Sequence, residues 1–170
     1  MLCAEQLTVV DASVQAREDP PLKALSALAI EGRLEEVCWQ SGDTRILARG
    51  ALAAESLQIG AIQLSTIQLP DVVATGDALT ATGGIAHFGD LPVAVDLTLT
   101  ELSARPALVL TAAIEEAPLQ SLVEAAIGQH GPLSATVEAV LTLEGGGERE
   151  RGDALWTGTL SARDSVVLLN

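Results

Sequence analysis

Two histidines are where catalysis would have to begin in this chain. His87 sits in the run GGIAHFGD, shortly before Asp90, and with a nearby serine it could be drawn as a nucleophilic triad. A serine nucleophile needs a sharp elbow to expose its hydroxyl, and the sequence contains no G-x-S-x-G. His87 therefore reads as a surface residue near a strand end. His130, in Gly128-Gln129-His130-Gly131-Pro132, follows a helical run, where an imidazole can serve the last carbonyls and the negative end of the dipole. Its role reads as structural. The adjacent acids Glu35-Glu36 and Glu115-Glu116 suggest acid and base work, but neighbours on a strand point to opposite faces and cannot meet at one substrate atom. Gly83-Gly84 and Gly145-Gly146-Gly147 lack the flanking lysine or the spacing of a phosphate cradle, and read as turns. The expectation is a non-enzymatic chain without catalytic residues or cofactor.

Cys3 and Cys38 lie far apart in sequence, one near a chain end and one within a strand-like run, which favours two unpaired thiols over a disulfide. No C-x-x-C or H-x-x-H spacing gathers metal ligands. With 23 Asp and Glu against 9 Lys and Arg, the chain carries a formal charge of -14, which excludes the clustered cations that a nucleic-acid surface requires. Trp39, Trp156 and Phe88 are the only aromatic residues, so stacking platforms for bases or sugars are excluded as well. Both tryptophans fall in strand-like runs and read as core or interface anchors. The basic residues are scattered; Arg149 and Arg151 are interleaved with Glu148, Glu150 and Asp153 in what reads as an exposed loop.

The elements that would position any site are strands. In Leu91 to Thr100, Leu91, Val93, Val95, Leu97 and Leu99 alternate with polar or small residues, the mark of a half-buried antiparallel strand. Leu133 to Glu144 repeats this with Leu133, Ala135, Val137, Ala139, Leu141 and Leu143. Weaker alternation marks Leu7–Ala16, Leu28–Trp39, Thr44–Ala54, Leu79–Phe88, Ala107–Ile114, Leu155–Ala162 and Val166–Leu169. Between Leu57 and Leu69 the apolar phase slips twice, which predicts bulges or tight turns. Turn residues separate these runs at Glu18–Pro21, Ser41–Asp43, Gly76-Asp77, Gly89-Asp90 and Arg105-Pro106. One segment, Pro118 to Ile127, keeps a helical step at Leu119, Leu122, Val123, Ala126 and Ile127, with Pro118 suited to its first turn and Gly128 to its C-terminal exit. A shorter helix is predicted around Pro21–Leu28.

These elements compose one β-rich domain over residues 1–170: a curved antiparallel sheet of about eight to ten strands, an open groove or incomplete barrel, with a short amphipathic helix near Pro118–Ile127. A helix of about three turns covers little of so large an apolar face. A second layer, a partner chain or a lipid must cover the rest. The groove is assigned to Val93, Val95, Leu97, Leu99, Leu108, Leu110, Val137, Leu141 and Leu143, capped by Leu119, Leu122, Val123 and Ile127. Small residues at Ala94, Ala112, Ala113, Ala135 and Ala139 leave room beside them. Ser56 to Pro70, the longest uncharged stretch near the middle, is too short and too rich in glutamine to span a bilayer as a helix. The first residues resemble neither a secretory signal nor a membrane anchor.

The order of a short helix with Leu119 and Leu122, a strand from Leu133 through Leu141 to Gly145–Gly147, and then Leu155-Trp156-Thr157-Gly158-Thr159-Leu160 with Asp164, resembles the AsmA-like family of Gram-negative envelope proteins. The likeness covers about 50 residues. It implies a β-groove that carries phospholipid acyl chains between membranes, in lipid transport or outer-membrane biogenesis in the periplasm. It further implies neighbouring envelope proteins or further β-groove repeats as partners, and membrane association through regions outside this chain. Family members usually begin with a membrane-anchoring helix and run several times longer, so the chain reads as a fragment or a minimal relative. A structural module of an envelope or secretion apparatus, its apolar face covered by protein, is the alternative.

Overall fold

The computed structural model describes residues 2–15, 25–40, 45–59, 62–101, 107–128, 133–146 and 155–167. They form nine strands and one helix, in the order β1 (Leu2–Gln15), β2 (Leu25–Gln40), β3 (Arg45–Ile59), β4 (Ile62–Gly76), β5 (Ala78–Phe88), β6 (Leu91–Thr100), β7 (Ala107–Pro118), α1 (Leu119–Ile127), β8 (Leu133–Gly146) and β9 (Leu155–Val167). Each strand pairs antiparallel with its neighbours in sequence, so the sheet is a nine-stranded meander. Its two outermost strands do not pair with each other, and the sheet stays open.

Period-two alternation dictates which face is buried. Along β6 the pattern is strict, with Leu91, Val93 and Val95 buried and Pro92, Ala94 and Asp96 exposed. On β7, Leu108 and Leu110 are 2% and 3% exposed, whereas Val109 between them is 38% exposed. Leu64 and Ile67 of β4 belong to the same core cluster as Val93 and Val95 of β6, Leu108 and Leu110 of β7, and Leu143 of β8. Ile62 and Leu64 of β4 also line one cavity with Gly158 and Thr159 of β9, although on a flat sheet strands five positions apart lie about 24 Å from each other, beyond side-chain contact. The sheet must therefore curl until its apolar face lines the inside of a trough.

Bulges produce the curl. Asp11, Glu36, Thr66, Gly83 and Glu116 have left-handed backbone conformations, and each lies where a strand slips register against a neighbour. An extra residue on one strand bends it and increases local twist. At Gly83 the amide freed by the bulge donates to the Asp96 carboxylate across the ladder, at 2.9 Å. The neighbouring Gly84 cannot carry a side chain, because a Cβ there would lie 2.7 Å from the Val95 carbonyl oxygen and 2.6 Å from Leu69 Cδ2.

Several expectations change accordingly. Gly83-Gly84 is a bulge inside β5 rather than a turn, and Gly145 and Gly146 end β8 as strand residues. The two phase slips between Leu57 and Leu69 have separate causes. Ile59 pairs with Ile62, so the first slip is a chain reversal between β3 and β4, and the second is the bulge at Thr66. Val166 continues β9 instead of starting another strand, and Leu25–Leu28 open β2 instead of closing a helix. Residues 21–24, the turns near 18–21, 41–43 and 105–106, and His130 lie outside the described residues.

The predicted helix is present. Pro118 stands as its N-cap with extended backbone, one position before the first helical turn, and Gly128 ends it in left-handed conformation, its N–H donating to the Glu124 carbonyl at 2.8 Å. The helix crosses one end of the trough, where Leu119 and Leu122 pack onto a small cluster of Leu91, Ala117 and Val137. Gly89 in the β5–β6 turn admits it closely; a Cβ there would lie 3.0 Å from the Ala125 methyl.

Candidate functional site: an apolar trough beneath the helix

Glu35 and Glu36 are both exposed, as are Glu115 and Glu116, and a left-handed bulge residue in each pair breaks the simple alternation of faces. Glu35 lies 3.6 Å from Arg33 and Glu36 lies 3.4 Å from Arg49, exposed ion pairs of little energetic weight. His87 is half-buried on β5 rather than a plain surface residue, and its Nδ1 is buried with no hydrogen-bond partner among the described residues. Among the described residues no cluster of His, Cys, Asp and Glu is arranged to hold a metal ion. Cys3 and Cys38, expected as separate thiols, form a disulfide between directly opposed positions of β1 and β2. A long sequence separation concealed a lateral neighbour, because β1 and β2 are the two arms of one hairpin.

The trough holds an open apolar cavity of about 260 Å³ near the helix end. Its walls come from Ile62 and Leu64 of β4, Phe88 of β5, Val93 of β6, Ala112 and Ile114 of β7, and Ala139 and Leu141 of β8, with backbone near Gly158 of β9 and Leu122 of the helix overhead. Strands β4 and β9 are five positions apart, so only the curl brings their residues to one cavity. No buried residue among those described is polar or charged. The walls that an occupant would meet are almost wholly apolar carbon.

The nine groove residues read from sequence share the inner face but divide in role. Val93 and Leu141 line the cavity. Val95, Leu108, Leu110 and Leu143 are buried in the main core cluster, Leu97 and Leu99 pack at its margin, and Val137 lies beneath the helix. Of the capping residues, Leu122 reaches the cavity, Leu119 packs below it, Val123 is half-buried, and Ile127 is 63% exposed and caps nothing. Ala112 and Ala139 provide the predicted room in the wall, and Ala135 is half-buried. Ala94 and Ala113 oppose each other across the β6–β7 ladder, Ala94 standing between buried Val93 and Val95, so this pair lies on the outer face. Ile62, Leu64, Phe88 and Ile114 were missed as wall residues. The reversal between β3 and β4 hid the phase of the first two, whereas Phe88, next to the Gly89-Asp90 turn and in phase with Ala86, was legible.

Comparison with known proteins adds no relative: no protein-family model, curated protein or solved structure matches the chain.

Proposed function

We propose that this chain is a non-enzymatic lipid-handling module, binding phospholipid acyl chains in the trough for transport between membranes or outer-membrane biogenesis. The observation that carries this reading is the open cavity of about 260 Å³ with aliphatic walls under Leu122. A hydrocarbon chain gains about 0.8 kcal/mol for each methylene taken from water, so such walls hold it without a polar anchor. The resemblance to the AsmA-like family supports the same function and a periplasmic setting. The Cys3–Cys38 disulfide fits an oxidising compartment of that kind.

Native mass spectrometry of the purified chain, followed by extraction and identification of bound lipid, tests the proposal. Wild type is expected to carry phospholipid, whereas Ala112→Leu and Ala139→Leu, which extend side chains into the cavity, are expected to fold and lose it. Lipid-free wild type that takes up no acyl probe would overturn the proposal. A second reading, an assembly module whose apolar face is covered by protein, draws on Leu7, Leu28 and Leu47, which are 45%, 53% and 47% exposed on β1, β2 and β3. Stable self-association without lipid would favour it.

A further inference from the structure

The cavity is closed at both ends along the strands. Away from the helix, the inward-facing position next to the cavity wall is Ile67 on β4, Ala86 on β5, Val95 on β6, Leu110 on β7 and Leu143 on β8. All five are at most 4% exposed and belong to one core cluster, so they form a floor across the trough. Towards the helix, the inward-facing positions next to the wall are Leu91, Ala117 and Val137, a second buried cluster that Leu119 and Leu122 cover as a roof. Floor and roof are about 13 Å apart along β6, from Val95 to Leu91, and about 20 Å apart along β8, from Leu143 to Val137. Between them the wall is apolar, and Ala112 and Ala139 leave it hollow.

We infer that the cavity is a blind chamber for the end of one hydrocarbon tail, about ten carbons long by its volume, and not a conduit along which a tail slides. This rests on the lipid-handling reading and adds the length of tail to it. An apolar protein cavity of about 150 Å³ takes up the six carbons of benzene, so about 260 Å³ takes about ten carbons. With floor and roof closed, a tail must enter from the side. Each methylene that enters leaves water for apolar carbon and adds to the affinity. A methylene beyond the capacity of the chamber gains nothing further, because the floor is close-packed and moving its side chains is costly. The rest of a longer tail, and the second tail of a phospholipid, stay outside.

The test is isothermal titration calorimetry with hexyl, octyl, decyl, dodecyl and tetradecyl phosphocholine, which share a head group, each below its micellar concentration. Kd is expected to fall about 15-fold for each added pair of methylenes up to the decyl compound, and by less than about threefold per pair beyond it. Leu110→Ala takes one side chain out of the floor and opens room for about three more carbons. Once circular dichroism shows this variant folded, the break is expected to move from decyl to dodecyl or beyond, whereas Val109→Ala, on the outer face, keeps it at decyl. A wild-type Kd that goes on falling about 15-fold per pair through tetradecyl, or a break that stays at decyl in folded Leu110→Ala, would overturn the chamber and leave lipid binding standing. If Leu110→Ala does not fold, the wild-type series decides alone. Failure of wild type to bind any member of the series would bring down the lipid-handling reading, and this inference with it.

Discussion

Replacing Leu110 and its neighbour Val109 by alanine, one at a time, measures directly which face of the sheet is the inside. Leu110 is 3% exposed and belongs to the main core cluster, whereas Val109 is 38% exposed on the outer face. Leu110→Ala removes three buried carbons, about 2.4 kcal/mol at about 0.8 kcal/mol each, and the unfilled space raises the cost to about 3 kcal/mol. Val109→Ala removes two carbons from a partly solvated site and loses some strand preference, costing about 1 kcal/mol. In a domain of this size each kcal/mol moves Tm by about 2–4 °C. Leu110→Ala is therefore expected to melt roughly 6–12 °C below wild type, and Val109→Ala roughly 2–4 °C below. Urea and thermal unfolding followed by far-ultraviolet circular dichroism gives both values, with an unchanged urea slope as the check that the unfolded states are comparable. An equal loss for the two variants, or a larger one for Val109→Ala, would refute the assignment of faces and the trough built on it.

Three further outcomes follow from the fold. Breaking the Cys3–Cys38 crosslink as Cys3→Ser/Cys38→Ser releases a loop with a sequence separation of 35, worth up to about 4 kcal/mol in chain entropy; hydrogen exchange should show the loss first in β1, which has no buried residue among those described. Gly84→Ala forces a methyl against the Val95 carbonyl and Leu69 and is expected to cost about 2–3 kcal/mol in urea unfolding; a neutral result would mean that β5 and β6 do not approach as closely as described. Asp96→Ala removes the acceptor of the Gly83 amide and is expected to cost about 1 kcal/mol, with Asp96→Asn recovering most of it; equal losses for both would show that the hydrogen bond contributes little.

Legibility followed the physics of each element. Where alternation was unbroken, as in β6, the sequence alone placed both ends of the strand and its buried face, because a strand's side-chain period is two whatever its neighbours. The helix was legible for a similar reason: the run keeps the helical step and Gly128 ends it as expected, whereas Pro118, expected in the first turn, stands one position before it as the N-cap. Bulges were harder to read. A left-handed residue restarts the alternation in opposite phase, and Glu36, Thr66 and Glu116 are not types that announce such a position. Strand ends beside them therefore shifted, and β4 was not separated from β3.

Composition and local spacing determined that this is an acidic, aliphatic, strand-built chain with one short helix and an apolar surface larger than that helix can cover. Those properties depend on residue types and on the periods of strand and helix, which are local. Which strand sides meet across a cavity, that Ile62 and Leu141 share a wall, and that Cys3 reaches Cys38 depend on the order of pairing and on the sheet's curvature. Curvature accumulates from small bends at bulges over nine strands, and no short segment carries that sum, so the trough exists only in the tertiary structure.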